Sequence, residues 1–139
     1  MHYDEVRDLL LRHSGGPNEA IASDSYHDDA FLDFPQSGER LQGMVEIQAW
    51  RDRYPARLDF EPREISGAGD LWFVDGQLRY DGGDPVHYVM ILRFRGGKVE
   101  RETLYFAEPF APPEGRQPWA EEGTSEARGD VPALVHGAA

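Results

Sequence analysis

Cysteine is absent from this 139-residue chain, which excludes a disulfide framework, a thiol nucleophile and any thiolate metal site. Basic residues are scarce: 14 Lys and Arg stand against 26 Asp and Glu, a formal net charge of −12. That balance argues against nucleic acid, because affinity for phosphates comes from clustered Lys and Arg. Long hydrophobic runs are missing too. No stretch approaches the ~18 apolar residues of a membrane helix, and the opening MHYDEVRD lacks the apolar segment of a signal peptide. The histidines at 2, 13, 27, 87 and 136 form no close pair, and Asp28, Asp29 and Asp33 lack a chelating spacing. Neither a metal nor a cofactor is therefore expected, and there is no phosphate-cradling glycine loop and no nucleophile elbow. What is present, 40% hydrophobic and 12% aromatic residues, suffices for one compact core. The expectation is a soluble, cytoplasmic protein with no membrane or nucleic-acid partner.

Hydrophobic spacing predicts three helices in the first half. Val6, Leu9, Leu10 and His13 share one helical face, with Asp4 and Glu5 near its positive end and Gly15-Gly16 after it. Pro17 suits the first turn of a second helix, running to about Tyr26. Ala30–Phe34 reads as a strand closed by Pro35, followed by a loop from Gln36 to Glu39. After Gly43, a third helix carries Met44, Ile47, Trp50 and Tyr54 along one stripe and ends before Pro55.

From there the period changes to two. Leu58 towards Ile65, Leu71–Tyr80, His87–Phe94 and Val99–Phe106 read as strands, the last two joined by the Arg95–Lys98 hairpin loop. Pro62 confines its strand to an edge or a bulge. Asp75-Gly76 allows either a tight turn or a bulge within one long strand. Four-residue arms would make a weak hairpin, which favours the long strand, with Asp81–Pro85 as the turn. The result is an α+β domain over 1–110, with a Pro/Gly/Ala-rich tail over 111–139. Phe110 and Trp119 could anchor the tail on the domain or cap a partner's pocket, and beyond Gly123 disorder or extended wrapping is expected.

In the strand from His87, Tyr88, Met90, Leu92 and Phe94 form a wholly apolar face. The next strand is mixed on both sides, with Glu102 beside Leu104 and Phe106. A carboxyl among large apolar residues suggests a cavity wall with a polar group inside. Pairing of Glu100 and Glu102 with Arg93 and Arg101 across the sheet is the ordinary alternative.

The segments Tyr26-His27-Asp28-Asp29-Ala30, Phe34-Pro35, Gly43…Ile47…Trp50, Tyr80-Asp81-Gly82-Gly83, Gly97-Lys98-Val99 and Glu102–Phe106, in that order, resemble the SnoaL-like branch of the nuclear-transport-factor-two-like superfamily. The resemblance spans about residues 3–110. It implies a cone, a strongly curved antiparallel or mixed sheet wrapped round three N-terminal-half helices, with a pocket at the wide end. It also implies homodimers pairing through the sheet. The superfamily holds ketosteroid isomerases, polyketide cyclases, dehydratases, limonene epoxide hydrolase and non-catalytic binding modules, so the fold alone assigns no reaction.

The functional positions of those relatives transfer poorly. The isomerase general-base position falls on Phe34, the oxyanion-hole tyrosine on Leu10 and the proton-sharing aspartate on Met90. The cyclase acid position falls on Leu104, two residues after Glu102. By the same correspondence Glu102, Leu104, Phe106, Met90, Phe34 and Trp50 should face the cone interior. Desolvation would raise the Glu102 pKa into a range useful for acid/base chemistry, and Tyr26 would stabilise a developing oxyanion. Trp72 adds aromatic pocket area, whereas His27 and His87 read as solvent or interface residues. The sequence thus predicts a pocket for a hydrophobic, ring-bearing metabolite. Either it serves a cofactor-independent isomerase or cyclase using Glu102 and Tyr26, or the chain is a non-catalytic ligand-binding or dimeric scaffold.

Overall fold

The computed structural model describes residues 1–13, 18–116, 118–121 and 135–136. Helix α1 (Tyr3–His13) buries Tyr3, Val6 and Leu10, and α2 (Met44–Arg53) buries Ile47 and Arg51. Strands β1 (Tyr26–Phe34), β2 (Glu39–Gln42), β3 (Leu58–Ala68), β4 (Leu71–Tyr80), β5 (Val86–Arg95) and β6 (Lys98–Ala107) form one mixed sheet. Its order is β2-β1-β6-β5-β4-β3, and the two-residue β7 (Val135–His136) adds to the outer edge of β3. The β1–β6 pair is parallel, so the chain's first strand closes against its last long one while the intervening strands run antiparallel. Both helices pack on the concave face, giving the α+β cone. No helix among the described residues is long and apolar enough to cross a membrane.

The second helix is where the structure departs from the sequence reading. Among the described residues 18–26 there is no α-helix; a single 3-10 turn, Ser23–Ser25, leads directly into β1. Asn18 explains the difference. It takes a left-handed conformation (φ 63°) and is buried, and its side chain joins two distant elements. Its Nδ2 donates to the Arg51 carbonyl at 2.8 Å and its Oδ1 accepts from the Leu58 amide at 2.8 Å. A segment with few apolar positions gains more from these tertiary bonds than from helical ones. Strand β2 is a further addition: Glu39–Gln42 pairs with Phe31–Phe34, directly after the expected loop from Gln36 to Glu39.

Strand β4 is one continuous strand, and its partner β3 carries the bulge, at Arg63 between Pro62 and Glu64. Gly76 is needed for close approach. A Cβ there would lie 2.5 Å from the Glu61 carbonyl oxygen and 2.7 Å from the Tyr88 ring. The turn after β4 lies at Asp81–Asp84, with Asp81 and Gly82 at positive φ. A second bulge, at Glu100 opposite the Arg93–Phe94 step, resolves the mixed pattern of β6. It swaps the faces, so Val99 points inward with Glu102, Leu104 and Phe106.

The inner faces of β4 and β5 supply Trp72, Val74, Leu78, Tyr88, Met90, Leu92 and Phe94, all buried. Phe110 and Trp119 are exposed, at 73% and 83%, and so do not anchor the tail on this chain's own domain. The disorder or wrapping expected beyond Gly123 lies outside the described residues, apart from the short β7.

Candidate functional site

Two features occupy the cone interior at different depths. The deeper is a buried polar cluster. The Tyr26 hydroxyl, from the start of β1, donates to Glu102 Oε1 on β6. Arg51 on α2 donates from Nη2 to the same hydroxyl at 3.0 Å and lies over the Tyr26 ring, 5.0 Å from its centroid. Its Nη1 reaches the Ile21 carbonyl at 3.3 Å and Ser23 Oγ at 3.2 Å, with Glu19 at 4.0 Å. Glu102 is 2% exposed and Arg51 4%.

Burial is the largest influence on Glu102 and raises its pKa, with Arg51 and Tyr26 partly opposing the rise. Burial and then the neighbouring Glu102 push the Tyr26 phenol well up, so its proton stays in place. Burial works against the Arg51 charge, but the oxygens of Tyr26 and Glu102 outweigh it and the guanidinium stays protonated. The cluster thus carries its own countercharge. Among the described residues, Arg51 Nε and the buried Tyr88 hydroxyl lack hydrogen-bond partners.

The second feature is the mouth of the cone, a cavity of about 360 Å³. Five aromatic rings wall it in sequence: Phe106, Phe34, Trp50, Tyr54 and Tyr80. Phe106 stacks on Phe34 at 6.2 Å, and Phe34 meets Trp50 edge-on at 5.4 Å. Trp50 meets Tyr54 edge-on at 5.6 Å, and Tyr54 lies 6.4 Å from Tyr80. Leu41 and Leu58 complete the apolar lining, with Gln36, Ser37 and Glu39 on its polar side. Gln36 fixes the loop to β6, donating from Nε2 to the Phe106 carbonyl at 2.6 Å and accepting the Phe106 amide at 2.7 Å. Burial, then Tyr54 and Glu108, raise the Tyr80 pKa.

A layer of core separates these features. Leu104 lies between Glu102 and Phe106 on the inner face of β6, and Leu32 pairs with Glu102 from β1; both are buried. Glu102 and Phe106 are four positions apart, about 13 Å along a strand.

Of the residues expected to form the pocket, the structure therefore brings Phe34, Trp50 and Phe106 together at the mouth. It does not bring Met90 and Leu104 there. They fill the core, at 0% and 2% exposure, because neighbouring inward side chains pack over them. Trp72 is also a correction: its indole packs over Gly67 and donates to the Gly69 carbonyl at 2.9 Å, at the opposite end of β4 from Tyr80. Glu102 and Tyr26 do meet, but in a sealed cluster rather than on the cavity wall. His27 Nε2 donates to the Arg95 carbonyl at 2.5 Å, near the β5–β6 turn and away from both features.

Sequence reasoning missed Arg51 and Tyr54 as site residues. Tyr54 and Trp50 share the apolar stripe of α2, the signal that could have placed Tyr54 at the mouth. Arg51 adjoins that stripe, but an arginine at a helix end reads as solvated. The isomerase-like and cyclase-like positions Leu10, Met90 and Leu104 are all buried apolar core, and Phe34 is a pocket wall.

A curved mixed sheet packed over two helices defines an α+β cone fold. No family model and no curated protein matches the chain, but solved structures do. An NTF2-like protein of unknown function from Burkholderia xenovorans is 38% identical, covering 87% of this chain and 94% of that one, with a TM-score of 0.73. The chain belongs to the NTF2-like family. A protein from Kribbella flavida provisionally named a ketosteroid isomerase is similar in fold, at 22% identity over 89% of this chain and 90% of that one, TM-score 0.76. So is a provisionally named polyketide cyclase from Sinorhizobium meliloti, at 24% identity over 75% and 95% of the two chains, TM-score 0.59.

Proposed function

We propose that this protein binds a small hydrophobic, ring-bearing metabolite in the aromatic mouth of its cone. The observation that carries the reading is the separation of mouth and carboxylate: five rings line an open cavity while Glu102 is buried beside Leu32 and behind Leu104. A pocket of this size, mostly apolar with a few polar groups at one side, is suited to holding a ligand. A carboxyl that cannot touch the ligand cannot transfer its proton. Calorimetric titration with 2-naphthol tests the reading. Binding is expected to be saturable, about tenfold weaker in Phe106→Ala, since truncation removes most of one wall, and unchanged in Glu102→Gln. Affinity insensitive to Phe106→Ala would reject the mouth as the site.

The second reading, acid/base isomerisation or cyclisation, draws on the raised pKa of Glu102 and its bond to Tyr26. It requires the Leu104 layer to part when substrate enters. Loss of turnover in Glu102→Gln at unchanged affinity would favour it.

The outer sheet face supports a homodimer as the assembled form. Phe73, Val89 and Tyr105 are exposed at 38–41% on that face. Arg93 and Arg101 stand opposite each other at one end, and Asp75 and Glu64 lie in the same row as Val89, to one side of the patch. A two-fold axis through the apolar centre would set Phe73, Val89 and Tyr105 of one copy against those of the next.

A further inference from the structure

Taking the mouth as the ligand site, its chemistry selects among ring-bearing ligands by charge. Among the described residues that line it, none is Lys, Arg or His, and the one ionisable acid is Glu39. Glu39 is exposed on β2, and its carboxylate makes no ion pair among the described residues. Glu108 lies close enough to Tyr80 to act on it electrostatically. The nearest arginine in sequence, Arg40, is turned to the other face of the sheet, where it pairs with Asp33 at 2.6 Å and covers the Phe31 ring.

The ring arrangement fits the same sign. An aromatic face carries negative charge density and attracts a cation within about 6 Å of its centroid. Successive interplanar angles of 62° between Phe34 and Trp50 and 71° between Trp50 and Tyr54 turn the wall through two corners. Ring faces and ring edges therefore alternate along the lining. A net charge of −12 adds a field that draws cations and repels anions at the entrance. A carboxylate or phosphate ligand would meet no positive group at this site to offset its lost hydration.

We infer that the mouth is a cation-selective aromatic site, whose ligand is an apolar amine or quaternary ammonium compound. The ammonium group would sit against the rings of Phe34 and Trp50, where Glu39 stands in register with Phe34. The rest of the ligand would lie along Tyr54 and Tyr80.

Two probes of nearly equal shape test this: 4-(trimethylammonio)phenol, which is cationic, and 4-tert-butylphenol, its neutral isostere. Calorimetric titration of the full chain at low salt should find the cation about tenfold tighter. Glu39→Gln, a change at an exposed position, should cut that preference about threefold. Equal or tighter binding of 4-tert-butylphenol would overturn cation selectivity while leaving the pocket itself intact. Failure of both probes to bind saturably would overturn the pocket reading and the selectivity with it. An unchanged preference in Glu39→Gln would overturn the part given to Glu39.

Discussion

The hydroxyl of Tyr26 donates to Glu102 and accepts from Arg51 at 3.0 Å, so one oxygen atom joins β1, β6 and α2 inside the core. Removing it leaves two buried ionisable groups without their shared partner. Tyr26→Phe is expected to lose about 2–3 kcal/mol of stability, measured by urea denaturation, with ligand affinity at the mouth unchanged. A loss below about 0.5 kcal/mol would be that of an ordinary surface substitution and would contradict a linking role.

Two carboxylates on opposite faces of the sheet should carry opposite pH signatures. Asp33 is held below its ordinary pKa chiefly by the Arg40 hydrogen bond, with Arg101 assisting. Its contribution is present above the unfolded value of about 3.9 and is lost as pH falls through the lower folded value. Wild type should therefore exceed Asp33→Asn in stability at neutral pH and converge with it in acid. Glu102 is raised by burial, so the folded state keeps its proton to higher pH than the unfolded chain does. Its advantage over Glu102→Gln should shrink as pH climbs from about 4.3 through the folded value. Melting temperatures across pH 3–8, roughly the range over which carboxylates and histidine titrate, would check both. Parallel curves for all three proteins would contradict the assignment.

Gly76 marks a contact where a side chain has no room. Gly76→Ala places a methyl group 2.5 Å from the Glu61 carbonyl oxygen, which is backbone and cannot swing aside. The expected cost is about 1–3 kcal/mol in equilibrium unfolding. A neutral outcome would mean that β3 and β4 can part locally.

How much of this the residues disclosed depends on range. Helix α2, the long β4 and the apolar face of β5 follow from local periodicity, and the sequence reading placed all three. Two features depended on long-range partners. Asn18 holds its segment out of a helix through bonds to Arg51 and Leu58, distant in sequence. The Glu100 bulge exchanges the faces of β6, which made both of its alternating sets look mixed. For the site, the sequence reading placed Tyr26 and Glu102 inside the cone but did not foresee that they meet, a contact between the start of β1 and the middle of β6. Their separation from the cavity was not legible either, because it depends on how far Leu104 fills the space between.

The outer sheet face gives a prediction about assembly. Val89→Glu puts a charge at the centre of the apolar patch formed with Phe73 and Tyr105. Sedimentation should find a dimer for the wild type and a monomer for the variant, with the fold retained by circular dichroism. A wild-type monomer at tens of micromolar, about −6 kcal/mol of association by standard affinity arithmetic, would contradict pairing through this face.

The central claim is that ligand occupies the aromatic mouth above a closed Glu102–Tyr26–Arg51 cluster. A crystal structure with 4-(trimethylammonio)phenol or 2-naphthol bound tests it most directly. The account predicts the ligand among the rings of the mouth, with Leu104 and Leu32 still packed beneath it. A ligand found against the Glu102 carboxylate, with Leu104 displaced, would contradict it and make the buried acid the working group.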